Sequence, residues 1–127
     1  MALENHEKEA DMKYLALIYS APGASPEYGT PEFGPFMEGY RKAGETYQRD
    51  GVMLAGEALQ PTSTATTVRV RNGKTETMDG PFAETKEQLG GFYMFDCANL
   101  DEAIKYASMI PSAALGSVEV RPVMEFE

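Results

Sequence analysis

Residues 78–97 read Met-Asp-Gly-Pro-Phe-Ala-Glu-Thr-Lys-Glu-Gln-Leu-Gly-Gly-Phe-Tyr-Met-Phe-Asp-Cys, a polar loop that leads into a nearly continuous apolar run at Gly91–Cys97. A short apolar run without alternation predicts a central strand that is buried on both faces of its sheet. Residues 13–19 form a second run of this kind near the start of the chain. The fold is therefore predicted to be organised around a sheet with these two strands at its centre.

Two helices are predicted around these strands. Aromatic and alanine residues recur at i, i+4, i+7 and i+11 over residues 36–50, which predicts an amphipathic helix whose aromatic stripe faces the core. Asn99 followed by Glu102 is a variant of the capping box and predicts the start of a second helix, which Pro111 ends.

Further strands are predicted at residues 52–59 and 117–126, and a hairpin at residues 66–78. The hairpin is the clearest local signal, because Asn72-Gly73 is typical of a type I′ turn between two strands. Pro122 cannot donate a ladder hydrogen bond, which predicts that the last strand lies at an edge or bends.

The resulting order, β-α-β-hairpin-β-α-β, predicts an α+β fold of the ferredoxin-like, split βαβ type. Residues 12–127 form one domain in this interpretation, and the polar residues 1–11 form a flexible extension. Two helices can cover only one face of such a sheet. The other face would expose an apolar patch, which predicts a homodimer with the two sheets face to face.

Composition excludes several classes of function. The net charge is −9, with 11 basic residues scattered among 20 acidic ones, so direct nucleic-acid binding is not expected. No apolar run approaches the roughly 18 residues of a membrane span, and no signal peptide is visible. The single Cys97 is expected to be a buried thiol in a reducing cytoplasm. The only histidine, His6, lies in the extension and is given no role.

The loop after the hairpin carries the candidate catalytic residue. Asp79 is a possible general base, and Phe82 is expected to turn back into the core, where its apolar surroundings would raise a carboxylate pKa. The alternative is structural: Asp79 forms an Asx-turn with nearby backbone N–H groups, and the charges over residues 84–87, on a single helical turn, are simply solvated.

Other candidate binding residues are more scattered. Glu57 is a carboxylate among apolar strand residues, and it either lies at the solvated end of its strand or faces a pocket. Tyr28 lies in a long loop that either lines a ligand or anchors itself to the domain. Glu84 could act with Asp79, and Lys86 could polarise a carbonyl or pair with an acidic ligand. No metal or cofactor is predicted, because the chain lacks His or Cys clusters and a phosphate-binding glycine loop.

Several segments together resemble the DGPF-type branch of the YCII-related proteins. They are Met12–Leu15, Ala55–Leu59, Asp79–Glu87, Gly90–Phe92 and Gly116–Pro122. The resemblance spans nearly the whole chain and implies a dimeric ferredoxin-like α/β barrel. Some YCII relatives are thought to use a His/Asp pair for acid–base chemistry. Asp79 matches the aspartate of that pair, but the chain has no histidine beyond His6.

Two functional hypotheses follow. The first is a cofactor-independent lyase or isomerase that uses Asp79 for acid–base chemistry on a small organic acid or phenol. The second is a non-catalytic homodimer that binds a small molecule or a protein partner. Members of this branch are often labelled transcription-initiation proteins, which implies a link to a sigma-factor pathway. The missing histidine favours the second hypothesis, because histidine is the side chain best suited to proton transfer at neutral pH.

Overall fold

The computed structural model describes residues 12–126 and has two α-helices with two antiparallel sheets, an α+β arrangement. In chain order the elements are β1 Met12–Ser20, α1 Phe33–Asp50, β2 Met53–Ala58, β3 Thr66–Arg71, β4 Lys74–Asp79, β5 Gln88–Cys97, α2 Leu100–Ala107 and β6 Ser117–Pro122. The predicted extension at residues 1–11, with His6, lies outside the described residues. Neither helix in the described part is long and apolar enough to cross a bilayer.

The main sheet has the strand order β2-β5-β1-β6, and every neighbouring pair is antiparallel. The two apolar runs are its central strands, as predicted. β6 is an edge strand, where a proline is tolerated, but it ends at Pro122 and the predicted continuation to residue 126 is wrong. The hairpin β3–β4 forms the second sheet, and its turn residues Asn72 and Gly73 have the positive φ values of 53° and 77° that a type I′ turn requires.

The core lies under one face of the main sheet. Both helices pack there against alternate residues of β1 and β5, and the buried cluster comprises Tyr14, Ala16, Ile18, Ala43, Tyr47, Val52, Phe95, Cys97, Ala103, Tyr106 and Ile110. The burial of Cys97 is thereby confirmed. The expectation that β1 is buried on both faces is wrong for the single chain, because Leu15 and Leu17 on the opposite face are partly exposed.

Local signals explain most helix boundaries. Asn99 Oδ1 accepts a hydrogen bond from the Glu102 N–H at 2.9 Å, and Glu102 Oε1 accepts one at 2.9 Å from the N–H of Ala98, the residue before the N-cap, so the predicted capping-box variant is confirmed. Helix α1 begins at Phe33 rather than Phe36. The earlier start places Pro35 in the first turn, where a missing N–H breaks no helical hydrogen bond.

The two helices are also joined by a hydrogen bond at the end of α1. The Tyr106 hydroxyl donates to Asp50 Oδ2 at 2.7 Å. This bond, together with one from Arg49, lowers the pKa of the Asp50 carboxyl. The same bond, with burial, raises the pKa of Tyr106 to about 12. The pair is therefore most favourable when the carboxyl is ionised and the phenol is neutral.

We expect this bond to make stability depend on pH. Because the Asp50 pKa is lowered by folding, its contribution is complete above its unfolded value of about 4 and is lost as the pH falls through the folded value. The Tyr106 contribution is present below its unfolded pKa of about 10 and is lost as the pH rises through the folded value. Tyr106→Phe should thus lower the urea midpoint at about pH 7, and the difference from wild type should shrink at about pH 3. An equal difference at both pH values would contradict this role.

Candidate functional site

A cavity of about 420 Å³ lies between helix α1 and the β2–β5 side of the main sheet. Its floor is made of small residues, because Gly56 and Ala58 of β2 and Gly91 of β5 occupy helix-facing positions. Its remaining walls come from α1, from β1 and the loop that follows it, from β5 and from the turn after α2. They include Phe36, Met37, Tyr40, Tyr93, Ile18, Ser20, Ser25 and Ser112.

The glycines on this floor are required by close packing. A Cβ on Gly91 would lie 2.8 Å from the carbonyl oxygen of Glu57, and a Cβ on Gly56 would lie 2.5 Å from Tyr93 Cδ1. Neither position accepts a side chain without a shift of its neighbours. Elsewhere on this face, large side chains such as Phe95 fill the space beneath the helices. The cavity lies over the small residues Ala58 and Gly91, which pair across the two strands, and beside Gly56, where the Tyr93 ring occupies the space of a side chain.

The main polar groups on the cavity wall are hydroxyls. Tyr40 Oη and Ser112 Oγ are 2.7 Å apart and share a hydrogen bond. Ser112 is only 5% exposed, so this pair is held at the inner wall. Burial, and to a lesser degree the neighbouring Tyr40, raise the pKa of Tyr93. The Tyr93 phenol therefore remains neutral at physiological pH, when even an ordinary phenol has a pKa of about 10.

Two more crevices continue from this cavity along the same end of the sheet. One of about 610 Å³ lies between the base of the hairpin and the loop that follows it, and Phe82, Leu59 and Tyr19 supply much of its apolar wall. The other, of about 370 Å³, shares Ser20 with the first cavity and Leu59 with the second. The three form a groove across the ends of the strands.

Comparison with known proteins places the chain in a family. The model of the YCII-related domain matches residues 12–127. The chain belongs to the YCII-related family. It is also 40% identical over 114 residues to an uncharacterized protein of Rhizobium meliloti (strain 1021), a match that covers 88% of this chain and 92% of that relative.

The YCII-related domain places Asp79 away from the cavity. Asp79 is the last residue of β4, its side chain is exposed, and it lines none of the three cavities. The hydrogen bonds of its turn are made by neighbours: the Gly80 N–H donates to Ala65 O at 2.7 Å, and Thr67 Oγ1 donates to Gly80 O at 2.8 Å. Within residues 12–126, no hydrogen bond to the Asp79 carboxylate is present, so an Asx-turn does not form there.

The remainder of that loop also differs from the expectation. Phe82 is 74% exposed and lies against the second crevice, so the prediction that it enters the core is wrong. Residues 82–83 and 86–87 form bends, and the predicted helical turn over residues 84–87 is absent; Glu84 and Lys86 are exposed. Pro81 and Phe82 line the second crevice together with the hairpin residues Thr66 and Thr67, so the loop lies against the base of the hairpin and not in the core.

The other candidate residues lie apart from one another. Glu57 lines the first cavity, but its strand position pairs it with Phe92, whose partner on β1 is Leu17, so its side chain belongs to the sheet face opposite the helices. Tyr28 is 89% exposed and contacts Phe33 edge to face, with ring centroids 5.4 Å apart. The YCII-related domain therefore does not gather the predicted residues into one site.

Sequence analysis did not predict a binding role for the residues that line the cavity. Phe36 and Tyr40 belong to the aromatic stripe of α1 that was predicted to enter the core, yet only its later members, Ala43 and Tyr47, are fully buried. Ser112 carried no sequence signal. Among residues 12–126, no group of three or more His, Cys, Asp or Glu side chains is arranged to hold a metal ion.

Proposed function

We propose that this YCII-related protein binds a small molecule in the cavity beneath α1 and that it does so as a homodimer. The observation that carries the proposal is the cavity itself. Its volume of about 420 Å³ is typical of small-molecule sites, and its walls combine apolar side chains with a few hydroxyl groups. Such a lining orients a ligand through one or two hydrogen bonds while the apolar walls supply the affinity.

The geometry favours binding over the lyase or isomerase alternative. A general base must come within hydrogen-bonding distance of the proton that it removes. The Asp79 carboxylate is exposed and does not line the cavity. Glu57 lines the cavity, but its strand register places its side chain on the opposite sheet face. The other polar side chains of the lining are hydroxyls, which bind ligands well but are weak bases at neutral pH.

The assembly is the second part of the proposal. The strand order β2-β5-β1-β6 supports a ferredoxin-like topology, and the sheet face opposite the helices supports a dimeric α/β barrel, because its centre contains Leu17 and Phe92. The place in the DGPF branch, the cytoplasmic location and a link to a sigma-factor pathway rest on the sequence resemblance and on composition.

A cavity-filling substitution tests the binding site. We expect Ala58→Leu to occupy the floor of the cavity and to lower the affinity for any cavity ligand by at least about tenfold, which corresponds to about 1.4 kcal/mol. The measurement is a thermal-shift screen of small ring compounds, followed by calorimetry on those that stabilise wild type.

The matched control is Ala98→Leu, which makes the same chemical change at an exposed position outside the three cavities. This control should bind every compound as wild type does. The proposal fails if the compounds that stabilise wild type bind Ala58→Leu equally well, because the ligand would then occupy another surface.

A further inference from the structure

We infer that the cavity beneath α1 selects an uncharged ligand with an apolar, ring-sized body and a hydroxyl, amide or carbonyl group that bonds to Tyr40 and Ser112. This inference rests on the proposed function, since it specifies the class of molecule bound at the same site. It changes the expectation from the sequence, in which Lys86 could polarise a carbonyl or pair with an acidic ligand.

The cavity wall offers no charged side chain that could pair with a charged ligand. Among the described residues, no Lys, Arg or His lines the cavity, and Lys86 lies outside it in the loop between β4 and β5. The lining contains one carboxylate residue, Glu57, but its side chain belongs to the opposite sheet face with Phe92 and Leu17. An anion would therefore be desolvated with no counter-charge beside it, in a chain whose net charge is −9. A cation would likewise lack a carboxylate on its own side of the sheet.

The hydroxyl pair supplies the polar recognition. Tyr40 and Ser112 each carry one hydroxyl proton, and the bond between them uses one of the two. The second proton has no protein acceptor in the described part of the chain, and both oxygens keep free lone pairs. The pair thus offers one donor and several acceptor sites at the inner wall. A ligand hydroxyl or amide, which also donates and accepts, satisfies both requirements, whereas a group without hydrogen-bonding capacity satisfies neither.

The apolar walls determine which shape of ligand fits the cavity. Phe36 packs edge to face on Tyr40 with ring centroids 5.4 Å apart, and Tyr93 presents its ring from the sheet side. Met37 completes the wall with a flexible thioether side chain that adapts to the shape it covers. A planar ring between these aromatic groups makes the offset and edge contacts that such rings prefer.

Four compounds with one ring and different charge test the inference: benzamide, benzyl alcohol, benzoate and benzylamine. Their affinities for the full chain are measured by NMR titration near neutral pH. We expect the two neutral compounds to bind at least about tenfold more tightly than either ion, because only the ions must lose their hydration without a partner.

Variants of the hydroxyl pair provide the second readout. The double variant Tyr40→Phe with Ser112→Ala removes both hydroxyls and leaves no buried polar atom without a partner. It should weaken the neutral compounds by about fivefold to tenfold. Tyr28→Phe removes a hydroxyl from an exposed ring and is the matched control, with no expected effect.

Failure of this inference is distinguishable from failure of the proposed function. Benzoate or benzylamine binding as tightly as the neutral compounds, with loss of that binding in Ala58→Leu, would overturn the ligand class and leave the site intact. The absence of binding by both neutral compounds would also overturn it. Binding that is insensitive to Ala58→Leu would instead overturn the proposed function, because the compounds would then lie outside the cavity.

Discussion

Tyr47→Ala is expected to lower the free energy of unfolding by about 4 kcal/mol, a large share of the roughly 5–15 kcal/mol that stabilises a typical domain. Tyr47 is completely buried, and its ring packs against Phe95 and Tyr93 with centroid distances of 4.9 and 5.2 Å. Its hydroxyl donates to the Tyr106 carbonyl oxygen at 2.7 Å. The truncation removes the ring contacts and the hydrogen bond, and leaves a cavity where α1, α2 and the sheet meet.

Two further variants separate these contributions in urea unfolding at one fixed protein concentration. Tyr47→Phe keeps the ring and loses only the hydrogen bond, so its loss should be about 1 kcal/mol. Tyr28→Ala removes an 89% exposed ring and should change stability by less than about 0.5 kcal/mol. A Tyr47→Ala midpoint equal to that of Tyr28→Ala would contradict the central position of Tyr47 in the core.

The elements that were predicted correctly are those specified by local sequence. The hairpin depends on Asn72 and Gly73, whose positive φ values favour just these residue types, and the start of α2 depends on the capping pair Asn99 and Glu102. The central position of β1 and β5 followed from their continuous apolar runs. Burial on both faces did not follow for the single chain, because a continuous run indicates that both faces avoid water without indicating what covers them.

The candidate site could not be predicted in the same way, because it is a space over small residues and not a sequence motif. Gly56, Ala58 and Gly91 lie on two strands far apart in sequence, and only their register places them side by side beneath Tyr40. The stripe on α1 indicates one apolar face, and its period does not distinguish a residue over a large side chain from one over glycine. The loop near Phe82 was misinterpreted for a related reason, since an apolar residue in a polar loop indicates a partner without placing it in the core.

The second large effect concerns the sheet face opposite the helices. Its register places Leu17 at the centre, directly beside Phe92 on β5 and Glu119 on β6. If two copies pack through this face, Leu17→Lys buries a charge from each protomer near the two-fold axis. Glu119 is already paired with Arg121, so the added ammonium group would be buried without a counter-charge of its own. Burial of unpaired charge costs several kcal/mol, so we expect the dimer to weaken by at least about a thousandfold and to dissociate at micromolar concentration.

The same substitution should leave each chain folded, which makes sedimentation velocity a direct measurement of the interface. In the isolated chain, the new ammonium group lies at a partly exposed position, where water can hydrate it. Val70→Lys on the hairpin is the matched control, because Val70 is an exposed apolar strand residue, at 60% exposure, outside this face.

A Leu17→Lys protein that sediments as a dimer would exclude this face as the interface, and a monomeric wild type would exclude the dimer altogether. A monomer that still binds neutral ring compounds would show that the cavity beneath α1 is complete within one chain, because every wall described for it comes from the same protomer.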